Sequence, residues 1–179
     1  GLTGIETQID PPRNLKASYA GEPSPQIQGN RIMLNSLAGR SRAFTVVRLG
    51  FLDIAPSMQL RGQVAYKSDK GLQSVSFQTI IEVPDILRPI PLSTEEFGAK
   101  WGTFGDGKRI WISPTSCKTP QEYASRVKTR MCINPVQTIG QEVISAGQVM
   151  GGGTLILIHA AMDSAKNGVN ITVNSSQGA

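Results

Sequence analysis

His159 is the chain's single histidine. Any general base or activated nucleophile of the usual triad kind would have to rest on it alone. It sits in Leu155-Ile156-Leu157-Ile158-His159-Ala160, where a lone imidazole reads as a core or edge residue of a strand. Cys117 and Cys132 have no zinc-type spacing and no further ligands nearby, so they read as free thiols of a reducing compartment. Gly105-Asp106-Gly107-Lys108-Arg109 resembles a phosphate loop only superficially: the Walker spacing and a following helix are both missing, and a turn is the simpler reading. Gly151-Gly152-Gly153-Thr154 reads as a hairpin turn. Glu95 and Glu96 suit a helix start, and Asp10 and Asp53 have no acid–base spacing. The expectation is therefore no catalysis, no metal and no cofactor.

Surface chemistry remains. Lys100, Lys108, Arg109, Lys118, Arg126, Lys128 and Arg130 stand against only Asp106 and Glu122, so residues 100–130 hold the whole net charge of +5. Such a patch steers acidic partners. It lacks the interleaved aromatics that would point to nucleic acid. Within the same stretch Trp101 offers a large rigid ring, a residue type often found as an interface anchor, although its periodicity alone slightly favours a core position.

These residues need elements to hold them. With 39% hydrophobic residues, 17% charged, 19 Gly and 11 Pro, the composition suits short strands and many turns. Strands are predicted over 15–19, 27–34, 43–53, 58–67 and 72–83, with a break at Glu22–Pro25 and turns at Gly39–Arg42 and Ser68–Gly71. Three prolines between Pro84 and Pro91 predict a stiff connector outside any sheet or helix. Ser93-Thr94-Glu95-Glu96 is a capping box opening a helix that carries Phe97 and Trp101 on one face and ends at Gly102. Arg109–Ile112 is a candidate strand. Thr119-Pro120-Gln121-Glu122 is a second capping box, opening a helix to about Met131 with Tyr123, Val127 and Met131 as its buried stripe. Strands follow over 136–139, 142–150, 154–162 and 169–173, and a frayed end over 175–179. The expected fold is β-rich α+β: an antiparallel β-sandwich over 1–90, then a platform-like subdomain over 91–179, an antiparallel sheet with two short helices. The longest apolar run is too short to span a bilayer, and no leader segment is visible. Asn170-Ile171-Thr172 and Asn174-Ser175-Ser176 read as chance matches to a glycosylation pattern.

The stretch Pro91-Leu92-Ser93-Thr94-Glu95-Glu96-Phe97-Gly98-Ala99-Lys100-Trp101, with the order of elements over roughly 40–165, resembles the appendage (ear) domains of adaptor and coatomer large subunits. Its Glu-Phe-Gly-x-x-Trp form is most similar to epsilon of the fourth adaptor complex. The resemblance implies a non-enzymatic domain of a vesicle coat, cytoplasmic and peripheral at Golgi or endosomal membranes. Its partners would be other coat subunits and accessory proteins bearing short acidic or aromatic motifs, with no nucleic acid and only indirect membrane contact. Carried over by position, Trp101 is the peptide-binding aromatic, with Arg126, Arg130 and then Lys100 as its basic neighbours. Gly98 stands where related platforms carry an exposed aromatic, so peptide specificity should differ. Two other readings stay open: a β-rich viral or extracellular assembly protein whose surfaces mediate oligomerisation, and a small hydrolase or transferase built around His159.

Overall fold

Leu2–Asp10 forms strand β1, although only every third or fourth residue there is apolar and no strand was expected. Its place in the sheet supplies what its sequence lacks, because it is hydrogen-bonded on both sides. The computed structural model describes residues 1–51 and 57–177. Positions 52–53 of the expected fifth-decade strand, Asp53 with them, and the last residues of the predicted frayed end lie outside that description. The chain divides into two compact units, Gly1–Glu82 and Val83–Ala179. Every strand pairing is antiparallel.

In the first unit β1 is followed by β2 (Leu15–Glu22), β3 (Gln26–Gln28), β4 (Arg31–Leu37), β5 (Phe44–Phe51), β6 (Ser57–Ser68) and β7 (Gly71–Glu82). The strand expected over 27–34 is thus two, folded into a hairpin at Gly29, whose φ of 61° needs no side chain. One sheet has the order β3-β4-β1-β6-β7 and the other is the pair β2-β5. Period-two alternation puts Ile9, Ile32, Met58, Leu60 and Ile81 in the interior. An apolar cleft of about 290 Å³ is lined by Ile5, Ile32 and Val64 of the larger sheet and by Phe44 at the start of β5. Along β7 the same face is barely covered: Val75 and Phe77 stay exposed, the latter lying across Gly62.

The second unit begins with a 3-10 turn, Val83–Ile86, and strand β8 (Leu87–Pro89). The connector predicted there is therefore partly sheet. β8 is only three residues long and sits at an end of the ladder, where Pro89 opposite Gly147 forfeits little pairing. Next come α1 (Thr94–Trp101), β9 (Lys108–Ile112), α2 (Pro120–Met131), β10 (Asn134–Ile139), β11 (Glu142–Val149), β12 (Leu155–Asp163) and β13 (Gly168–Ser175). The sheet order is β10-β11-β12-β13-β9, with β8 also on β11. The two helices lie on opposite faces of this sheet. Phe97 of α1 packs on Ala146 and Leu157, whereas Tyr123 of α2 packs on Cys117, Ala160, Met162 and Val169, which point the other way.

Both helix starts form as expected, with one difference. Ser93 and Glu96 complete a reciprocal box. At α2, Thr119 accepts from the Glu122 N–H, but the Glu122 carboxylate accepts from the N–H of Lys118 at 2.7 Å instead of closing back on the cap. The α2 stripe is buried at Val127 and half-buried at Tyr123 and Met131. That helix ends on Cys132 in the left-handed region (φ 53°), a place glycine usually takes. No described helix is long and apolar enough to cross a membrane.

Candidate functional site

The capping box fixes where α1 starts, and so which residues reach the sheet. The Ser93 hydroxyl accepts from the Glu96 N–H at 3.1 Å, and the Glu96 carboxylate accepts from the Ser93 N–H at 2.8 Å. That backbone hydrogen bond, then the Ser93 side chain, holds the Glu96 carboxyl below its ordinary pKa. Thr94 donates its hydroxyl to Gln137 of β10 at 2.7 Å, pinning the helix to the sheet. Phe97 then falls one turn on and is 5% exposed.

Trp101 follows four residues later on the same face and is half-buried. Its ring stacks on Phe97 at 5.5 Å and 19°, and His159 meets it edge-on at 6.0 Å and 79°. The His159 Nε2 lies 3.1 Å from a Glu142 carboxylate oxygen. The indole is thus neither swallowed by the core nor free. One side is backed by a buried aromatic, and its neighbourhood includes an imidazole–carboxylate pair. His159 is on the central strand β12 and half-exposed.

Register extends this surface. Ile144 of β11, His159 of β12, Thr172 of β13 and Arg109 of β9 stand in one row across the sheet. Strand spacing puts Arg109 roughly 10 Å from His159 on the α1 side. Lys100, half-buried, adjoins Trp101 in α1. Arg126 and Arg130 do not join this group. They lie on the exposed side of α2, across the sheet from Trp101, with Arg126 donating to Ser116 Oγ. Four-residue spacing pairs them with each other but carries no information about which face of the sheet their helix covers. His159 was missed as a neighbour of Trp101, and Glu142 and Arg109 as members of the same sheet face, because strand register is a long-range property.

Among the described residues no three His, Cys, Asp or Glu side chains are placed to hold a metal ion. Cys117 is a buried free thiol within the α2-side core, and Cys132 is an exposed one.

A protein-family model described as adaptin AP4 complex epsilon appendage platform matches residues 89–179, just over half of the chain and all within the second unit. No curated protein matches the chain.

Proposed function

Since the chain belongs to the adaptin AP4 complex epsilon appendage-platform family, we propose that it is a non-enzymatic recruiting domain that captures short peptide motifs of accessory proteins through Trp101. The half-exposed indole, backed by Phe97 and walled by His159, carries this reading. A ring so held loses little entropy on binding and offers an apolar face to an aromatic or aliphatic peptide side chain. Lys100 supplies a cation for an acidic residue flanking that anchor. Arg126 and Arg130 form a separate basic contact on the α2 side, serving acidic stretches of the same partners or another coat subunit. Affinity for a single motif should be weak, roughly micromolar, because the peptide orders on binding. The domain would then work on the cytoplasmic side of Golgi or endosomal trafficking membranes, reaching the lipid only through its complex. Residues 91–179 would be its platform and 1–90 its sandwich subdomain.

Peptide-display selection against the wild type and Trp101→Ala tests this. Selected peptides should lose roughly tenfold or more in affinity for Trp101→Ala, with the variant still folded by its urea transition. Arg126→Glu with Arg130→Glu should leave the selected anchor residue unchanged and weaken only acidic peptides. If no selected peptide binds Trp101→Ala more weakly than wild type, Trp101 is not the anchor.

A further inference from the structure

Strand β9 pairs along its whole length with β13 on one side, and no described strand pairs with the other. At such an edge every second residue turns its N–H and C=O outward, ready for another strand. Edges are commonly blunted by proline, a bulge or dispersed charge. β9 has no proline and its register with β13 is unbroken, while its two cations, Lys108 and Arg109, gather at one end. The rest is apolar and open: Ile110, Trp111 and Ile112 are 53%, 47% and 44% exposed.

The Trp111 side chain is not adrift. Its ring lies against the backbone of Gly168, so closely that a Cβ there would sit 2.2 Å from Cζ2. The ring borders a shallow concavity that includes Ala161, Asn170 and Lys166. Lys166 is paired with Asp163 at 3.5 Å, whereas neither Lys108 nor Arg109 makes an ion pair among the described residues.

We propose that β9 is a docking edge for an extended peptide of a partner protein, which adds itself to the platform sheet as a further strand. The outward hydrogen-bonding groups select an extended backbone. Lys108 and Arg109 select carboxylates at one end of the peptide. Alternate apolar side chains cover Trp111 on one face and Ile110 and Ile112 on the other. A second copy of the chain fits less well. Antiparallel pairing of two β9 strands sets each Lys108–Arg109 pair against Trp111 and Ile112 with no carboxylate, and a five-residue contact falls short of the roughly 1,000 Å² of a stable interface. This site differs from the Trp101 surface in place and in mode, one reading backbone and the other a side-chain anchor.

The test uses peptides selected from a random display library against the whole chain. Peptides of this class should slow hydrogen exchange at outward-facing β9 amides. N-methylation at alternate peptide positions should weaken binding by roughly tenfold in one phase of the alternation and little in the other. Ile110→Lys with Ile112→Lys should abolish their binding, Lys108→Glu with Arg109→Glu should reverse the preference for acidic ends, and Trp101→Ala should leave them bound. Two results overturn the proposal: selected peptides that bind without protecting β9 and without a methylation phase, or β9 protection that rises with protein concentration alone alongside dimers in sedimentation. The first, with all binding lost in Trp101→Ala, would leave the Trp101 reading standing.

Discussion

Tyr123 is the residue through which the α2-side core reports itself. Burial, and next the nearby Cys117, push its phenol up to about 12 from an ordinary 10.0. Between those values the unfolded chain has released this proton and the folded chain still holds it. The unfolded state binds fewer protons there, so stability is fully present below about pH 10 and is lost as pH rises toward about 12. Tyr123→Phe should flatten that alkaline loss, measured by urea unfolding at neutral pH and near pH 11; Tyr19, also raised by burial and then by Asp10, keeps a smaller slope in both proteins. At the same scale Trp101 was legible from its four-residue spacing to Phe97, a helix property. Its half-burial was not, since exposure depends on what the sheet places opposite.

Helix α1 is only eight residues long, too short to persist in water without help. Its N-terminal box and the packing of Phe97 supply that help. Ser93→Ala should cost about 1 kcal/mol in unfolding free energy. The Glu96 carboxyl is lowered by its hydrogen bonds to Ser93, so its contribution is present above the unfolded carboxyl's pKa and disappears as pH falls through the depressed one. Glu96→Gln should therefore reduce the acid sensitivity of unfolding below about pH 4, read by circular dichroism. Both caps were visible in sequence because capping is local, acting over three or four residues. The half-closed box at α2 was not, because the choice of Glu122 between Thr119 and Lys118 depends on the path of the incoming chain. Strand β1 was missed for a related reason: its weak pattern is rescued by two neighbours far away in sequence.

At the level of the molecule the two units differ in how well they cover themselves. The sheet of the second unit carries a helix on each face, and its core includes Val143, Ala146, Leu157 and Ala160 at 0% exposure. The first unit leaves Leu72, Val75 and Ile80 of β7 open. A fragment covering 83–179 should unfold cooperatively on its own, while one covering 1–82 should associate or bind a hydrophobic dye, as separate expression and thermal melts would show. The basic character of residues 100–130 also belongs to this scale, since sequence placed the charge but not its division between the two sides of the sheet.

Alternation, caps and turn residues specified a β-rich, antiparallel chain with two short helices, because each acts between near neighbours. The proline-bearing entry and the Glu96-Phe97-Gly98-Ala99-Lys100-Trp101 stretch likewise carried the family likeness on a few adjacent positions. Folding in three dimensions settled which residues share a surface. It set Trp101 beside His159, put His159 in one row with Arg109, put Arg126 and Arg130 behind the sheet, and left one edge of β9 without a partner among the described strands. Strand order and register arise from contacts between distant segments, and no local spacing encodes them.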